Sequence, residues 1–353
     1  MPIAISRSDV EVTRMKLIST GPRIAKENGA KKSLPLDKSI LFMKNLIARA
    51  KHTLNRYLFG RTCRKIRKTS PLAYQKNPDI TVASMVSHDT VDMYLIAIKS
   101  FMTHFGDAKI EAISDGSLTR DDIHLLKHHV PGIDFSDARD IDTGDCPSYI
   151  SWKRLFRIIE LSQRSYVIQL DSDIIALSPL VEIYNKAVSN EGFMIADGRW
   201  REMADRNFLH SLTRRWKHIH PQALAEREFY NLPYFEEGDK YLRGCAGFAG
   251  YPRGSLTVER VQTLSRQIEE RIGSSVWREW GSEQTATNCL ISKSNNPEVL
   301  PWPRYQNYLF PPARYSVESA ALIHFIGTTR FADGTYRITV QKLIRRLEAR
   351  KSS

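Results

Sequence analysis

Hydrophobic and polar positions change their period several times along this chain, and the changes outline its elements. Over residues 39–59, Met43, Leu46, Ile47, Ala50, Leu54, Tyr57 and Leu58 recur at helical spacing, flanked by Lys44, Arg49, Lys51 and Arg56. This predicts an amphipathic helix. Residues 1 to about 38 are polar and aperiodic, a composition expected to stay disordered. Apolar runs then predict buried strands at residues 80–86 (ending in the turn Ser87-His88-Asp89), 109–114, 133–135 and 166–170. Helical patterns at residues 93–105, 121–129 and 152–162 fall between them. Strands alternating with helices predict an α/β fold, a mixed and mainly parallel central sheet flanked by helices with right-handed crossovers. Residues 264–272 and 283–291 read as helices, and 338–350 as a final basic helix. Residues 200–240, rich in aromatics and charges, suit an insertion that covers a substrate. The expected division is a leader at 1–78, a body at 79–335 and a terminal basic helix at 336–353.

Charge sharpens that division. Of a formal net charge of +13, residues 1–78 hold 18 Lys or Arg against 4 Asp or Glu, a balance of +14. The other 275 residues hold 34 against 35, a balance of −1. The excess lies ahead of the body, which argues against nucleic acid as a partner and for a separately acting leader. A basic amphipathic segment over residues 39–68, closing on the cluster RTCRKIRK, suits an anionic membrane surface; packing of its stripe on the protein's own body is the alternative. At 353 residues the chain can bury a sizeable core as one large domain or two. No apolar run reaches the length of a membrane span and no cleavable signal is seen, so a cytoplasmic protein, at most peripheral on the inner membrane face, is expected. Cys63, Cys146, Cys245 and Cys289 are far apart without metal-ligand spacing, which fits reduced thiols.

The chemistry concentrates at Asp171-Ser172-Asp173, which follows the apolar run Tyr166-Val167-Ile168-Gln169-Leu170. Alternate strand residues point the same way, so two carboxylates can converge at a strand's carboxyl end, where α/β sheets bind ligands. Close carboxylates resist ionising together unless a cation lies between them. A divalent-metal site holding a polyphosphate is the economical reading; capping carboxylates at a strand-end turn are the structural alternative. Roughly one Asp-x-Asp is expected by chance in a chain this long, and Asp140-Ile141-Asp142, with no strand before it, is taken as a solvated loop.

Three further segments bear on that site. Ala321-Leu322-Ile323-His324-Phe325-Ile326-Gly327 ends an apolar strand on a histidine, with Gly327 allowing close backbone approach and Arg330 three residues on. A core histidine is the bland reading; a third ligand beside Asp171 and Asp173 is the sharp one, and a mixed oxygen and nitrogen set suits Mn²⁺ better than Mg²⁺. Trp280-Gly281-Ser282-Glu283-Gln284 reads as a helix start with Ser282 as N-cap and Glu283 in the first turn. Gly244-Cys245-Ala246-Gly247-Phe248-Ala249-Gly250 is small enough for backbone to approach a ligand, though it lacks a Walker lysine.

In this order, the segments resemble the metal-dependent GT-A (Rossmann-like) glycosyltransferases, most closely the family 8 retaining enzymes, the group of glycogenin and the lipopolysaccharide galactosyl- and glucosyltransferases. The resemblance runs from about Ile80 to Arg330. It rests on Leu170-Asp171-Ser172-Asp173, on Glu283-Gln284 with Asn288, and on His324-Phe325-Ile326-Gly327-Thr328-Thr329-Arg330. It implies a sugar transfer from a nucleoside diphosphate donor, UDP above all, to a glycan or lipid-linked acceptor hydroxyl, with retention. Asp171, Asp173 and His324 would hold Mn²⁺ or Mg²⁺. Asp171 would also lie near the ribose, Arg330 and Gly327 would hold the diphosphate, and Lys153 or Arg154 would contact the donor. Val86, His88 and Asp115 would border the nucleoside, with Glu283 and Gln284 beside the sugar. Glu283 departs from the family's Asp and Cys245 from its usual Asn; Ile113-Ser114-Asp115-Gly116-Ser117 resembles a turn of inverting family 2 enzymes. A nucleotidyltransferase is the nearest rival, but Ser84 to Asp89 lacks the Gly-rich basic loop it needs. A non-catalytic interaction protein is the other.

Overall fold

The computed structural model describes residues 38–196, 199–217, 220–308, 317–327 and 329–349. The expected disorder of residues 1–37, and the last residue of the expected terminal helix, Arg350, lie outside the described residues. In chain order, α1 (Lys38–Cys63) precedes β1 (Ile80–Val86), α2 (Val91–Phe105), β2 (Lys109–Ser114), α3 (Arg120–His129), β3 (Asp134–Asp137), α4 (Ile150–Ser162), β4 (Tyr166–Leu170), β5 (Ile174–Ala176) and α5 (Val181–Val188). Then come β6 (Phe193–Ile195), β7 (Ala204–Asp205), α6 (Arg206–Thr213), α7 (Pro221–Glu228), β8 (Lys240–Tyr241), β9 (Cys245–Tyr251) and α8 (Val258–Ile272). The chain continues through α9 (Ser282–Ser292), β10 (Glu298–Val299), β11 (Tyr305–Asn307), β12 (Leu322–His324) and α10 (Thr335–Ala349).

Seven strands form the central sheet in the order β10-β6-β9-β4-β1-β2-β3. Pairings β1 with β2, β1 with β4, β2 with β3 and β6 with β10 are parallel. Only β9 runs against its neighbours β4 and β6. This is the mixed, mainly parallel sheet the alternation predicts. Side chains of β1 alternate between two cores: Ile80, Val82 and Val86 join the cluster with α2 and α10, while Ala83 joins Trp152, Leu264 and Leu290 from α4, α8 and α9. Helices therefore cover both faces, and the strands read as continuous apolar runs for that reason.

Two local devices shape the carboxyl end of the sheet's parallel strands. A capping box opens α3: Thr119 Oγ1 accepts from the Asp122 amide (3.2 Å) while Asp122 Oδ2 accepts from the Thr119 amide (2.8 Å). Beyond β4 the chain makes one turn and re-enters as β5, which leaves the main sheet and pairs antiparallel with β12 in a second sheet of order β11-β12-β5. That register sets His324 opposite Ile174. A residue 150 positions downstream is thus brought within one residue of Asp173.

The segment before β1 is partly fastened to the rest. Phe59, Cys63 and Ile66 are buried, and the Phe59 ring stacks on Tyr336 of α10 at 4.3 Å. Lys99 of α2, itself buried, donates to Thr69 Oγ1 (2.8 Å) and to the Ser70 carbonyl (2.6 Å). No helix among the described residues is long and apolar enough to cross a membrane.

Candidate metal and donor site

Asp171 and Asp173 sit in the turn between β4 and β5, not on the strand itself, so their convergence comes from the turn and not from strand pleating. The Ile174 amide donates to the Asp171 carbonyl (3.2 Å) and closes that turn. Ser172 points away as expected, its hydroxyl donating to the Met85 carbonyl (3.3 Å). From β9, the Gly247 carbonyl accepts from the Asp171 amide (2.9 Å). Glycine is required there: a Cβ at 247 would lie 2.4 Å from His324 Cε1 and 2.8 Å from Asp171 Oδ2. Within the small-residue run 244–250 it is Gly247 that meets this cluster; a Cβ at Gly244 would instead meet Met194, and one at Gly250 would meet Tyr166 and Phe193.

Ligand atoms of Asp171, Asp173 and His324 all lie within 4.8 Å of one another. Among the described residues no other group of three His, Cys, Asp or Glu side chains does this. His324 Nε2 stands 3.1 Å from Asp173 Oδ1, and its Nδ1 stands 3.1 Å from Asn307 Oδ1 on β11. Cys245 Sγ is 3.6 Å from the same Nδ1. With Nδ1 facing Asn307, Nε2 faces the carboxylates, where it pairs with Asp173. Two carboxylates and one imidazole form a mixed oxygen and nitrogen donor set that fits a divalent cation.

Two guanidiniums bracket the pair. Arg154 of α4 donates from Nη1 to Asp171 Oδ1 (2.7 Å) and from Nη2 to Glu283 Oε1 (2.9 Å). Arg330 Nη2 reaches Asp173 Oδ2 at 3.0 Å. Burial raises the Asp171 pKa, with Arg154 offsetting only part of that. Burial also opposes ionisation of Asp173, but Arg330 and His324 outweigh it and hold that carboxyl below the usual range. For His324 burial disfavours charge, and the facing Asp173 reverses the balance and holds the imidazole well above the usual histidine range. Glu283 is pushed up by burial, against the pull of Arg154. The two aspartates thus titrate apart, as close carboxylates with different neighbours do.

The helix start at α9 differs from the sequence expectation. Gly281 at φ +101° is the N-cap and Ser282 is the first helical residue. Ser282 Oγ accepts instead from Trp152 Nε1 (2.9 Å). The cap is supplied at a distance by the Tyr149 hydroxyl, which accepts from the amides of Gly281 (3.1 Å) and Glu283 (2.9 Å). With its amide so satisfied, Glu283 directs its carboxylate to Arg154. Gln284 donates to Gln222 Oε1 of α7 (3.0 Å), so part of the 200–240 insertion touches the candidate site.

The residues expected to border a nucleoside are placed by the fold at the ends of β1 and β2. The Val86 side chain is fully buried, and its carbonyl accepts from the Asp115 amide (3.1 Å). Asp115 Oδ1 accepts from the Ser117 amide (2.9 Å) and hydroxyl (2.6 Å), an Asx turn. The exposed His88 ring is 2.7 Å from Asp122 Oδ2. Of the Lys153 and Arg154 pair, Arg154 reaches Asp171, whereas Lys153 is half-buried on α4. Gly327 lies in the turn before Arg330, where a Cβ would meet Arg330 Nη2 at 3.1 Å. Asp142 Oδ1 accepts from the Gly144 amide (2.9 Å), and both Asp140 and Asp142 are exposed. Asn307, Tyr149 and Gln222 escape sequence reasoning because nothing local marks them; only the folded registers bring them to the site.

No protein-family model matches the chain, and no curated protein matches it. Solved structures similar to it include the galactosyltransferase LgtC in complex with donor and acceptor sugar analogues. That pair shares 11% identity over 75% of this chain and 95% of the other, with a TM-score of 0.46. Mouse xyloside xylosyltransferase 1 in its apo form is similar at 12% identity, over 73% of this chain and 99% of the other, with a TM-score of 0.43. The mannosyltransferase Ktr4p from S. cerevisiae in complex with GDP is similar at 10% identity, over 69% and 77%, with a TM-score of 0.37. All three are glycosyltransferases. The functional reading of the present chain is carried by the residues of its own site.

Proposed function

We propose that the protein is a glycosyltransferase that moves a sugar from a nucleoside diphosphate donor, UDP-linked by preference, to a hydroxyl of a glycan or lipid-linked acceptor. The observation that carries this reading is the convergence of Asp171, Asp173 and His324 at the carboxyl end of β4, with Arg154 and Arg330 on either side. A divalent ion bound there, Mn²⁺ before Mg²⁺, supplies Lewis-acid stabilisation of charge on a departing diphosphate. Arg330 adds a charge-assisted contact to the same diphosphate, since its side chain is about one-quarter exposed while still anchored on Asp173 (24%). Arg154 holds Asp171 and Glu283 in fixed relation through one rigid fork. Glu283 and Gln284, at the start of α9, are assigned to the sugar side, where a carboxylate favours a cationic transition state. Val86, His88 and Asp115 are assigned to the nucleoside rim at the ends of β1 and β2. Retention of configuration follows the family 8 resemblance, and the cytoplasmic side is assigned from sequence.

The test is release of nucleoside diphosphate from a panel of nucleotide sugars by the full chain with Mn²⁺, with Mg²⁺ and with chelator. The expected result is release from one UDP-sugar that depends on the metal. Absence of metal-dependent nucleoside diphosphate binding by calorimetry would sink the assignment.

A further inference from the structure

Helix α1 carries two rows of side chains on opposite sides. Residues 52, 55, 59 and 63 face the body. The His52 ring is 5.7 Å from Phe331, Asn55 Nδ2 donates to the Phe331 carbonyl (3.1 Å), Phe59 stacks on Tyr336, and Cys63 is buried. At about 100° per residue, Met43, Leu46, Ile47, Leu54 and Tyr57 fall roughly 180° from that seam. They are exposed to 55%, 54%, 50%, 56% and 61% respectively. The helix therefore spends one row on the protein and leaves a second, longer apolar row uncovered.

Charge identifies what covers it. From residue 38 to 68 the chain has ten Lys or Arg and no Asp or Glu. Arg49, Lys51, Arg61, Arg64, Lys65 and Lys68 are all exposed. A second copy of the same helix would bring like charges together, whereas an anionic lipid surface meets both the apolar row and the cations beside it. No described helix can span a bilayer, so the contact is interfacial. We propose that the outer face of α1, through Met43, Leu46, Ile47, Leu54 and Tyr57 and the exposed basic residues around them, docks the protein on an anionic lipid surface. The inner face of α1 grips Phe331, the residue after Arg330, so docking fixes the donor-binding loop close to that surface. Resting on the glycosyl-transfer reading, this makes the acceptor a hydroxyl on a lipid-anchored glycan.

The experiment uses the full chain and two sets of vesicles, phosphatidylglycerol-rich and pure phosphatidylcholine, in a cosedimentation assay across a salt series. The protein is expected to bind the anionic vesicles, to release partly as salt rises because only the charge component is screened, and to ignore phosphatidylcholine. A triple variant, Leu46→Ser with Leu54→Ser and Tyr57→Ser, should lower partitioning at least ~tenfold, because it removes three large apolar contacts. Arg49→Gln with Lys51→Gln and Arg61→Gln should weaken low-salt binding and flatten the salt dependence. None of these residues packs on Phe331 or Tyr336, so the melting temperature should not move. Full binding by the triple variant, or no binding by the wild type, overturns the proposal. A wild-type dimer that the triple variant turns into a monomer also overturns it, by showing that the row is a self-interface. Mn²⁺-dependent UDP binding is measured on every sample: its loss with vesicle binding intact defeats the glycosyl-transfer reading alone.

Discussion

Two clusters of buried charge, one in the turn after β4 and one in the 200–240 insertion, differ in what surrounds them. In the turn after β4, Asp171 and Asp173 converge while keeping a route to solvent; the Asp171 side chain is 29% exposed and that of Arg330 is 24%. In the insertion, Glu226 of α7 is fully buried, and a single oxygen, Oε1, accepts from Gln222 (2.9 Å), Tyr241 (3.1 Å) and Arg243 (2.9 Å). Arg243 is then flanked by the rings of Trp200 and Trp216 at 5.0 and 5.2 Å. Among the described residues Glu226 Oε2 has no hydrogen-bond partner, and burial raises the pKa of its carboxyl. One cluster brings two acids to one accessible point; the other closes one acid inside a ring of donors. Buried charge by itself therefore does not single out a candidate ligand site; convergence with access is what separates the two clusters.

The sharpest break of that comparison is Asp173→Asn, which keeps shape and removes charge. Mn²⁺-dependent UDP affinity should fall by more than ~100-fold, since even the outer partners of a metal ligand carry about 10–100-fold. Titration calorimetry reads this directly, and an unchanged affinity would place the ion elsewhere. The reciprocal change, Glu226→Ala, should leave UDP affinity intact and lower stability by about 2 kcal/mol. That is below the ~3–5 kcal/mol of a wholly buried pair, because Arg243 retains some solvent contact. Denaturant unfolding measures it; lost UDP binding at unchanged stability would make the sealed cluster part of the site.

Arg330→Ala tests the rim of the open cluster. Loss of one charge-assisted contact should weaken UDP binding on the order of tenfold. Arg330→Lys should restore part of it as a point charge without the fork. Equal UDP affinity in all three proteins would confine Arg330 to holding Asp173.

An effect confined to acidic pH comes from a third buried group outside both clusters. His129 Nδ1 lies 3.0 Å from Lys99 Nζ, and burial, helped by Lys99, depresses the histidine to about 4. Its folded pKa is below its unfolded one, so the unfolded chain takes up the proton first as pH falls. Stability should therefore decline from about pH 6.5 toward 4. His129→Asn should flatten that segment of the melting-temperature profile; a profile identical to wild type would remove His129 as its source.

Much of this was legible in the chain itself. Periodicity placed the strands 80–86, 109–114 and 166–170 because both faces of the sheet are covered, so each strand is a continuous apolar run. Asp171, Asp173 and His324 could be singled out because each closes such a run. The Ser282 cap was misplaced because a local pattern cannot see Tyr149, more than 130 residues away in sequence, whose hydroxyl does the capping.

The residue types of the site and the α/β class follow from sequence alone, since both are local patterns. Which residues meet does not, because it depends on registers between distant segments. The β5–β12 pairing brings His324 to Asp173, β11 delivers Asn307, and β9 presents Gly247 where any side chain would collide. Only tertiary packing chooses Arg154 over Lys153 for Asp171. The same packing turns one side of α1 inward and leaves the other exposed, because a helix row becomes core only where a partner surface stands opposite it.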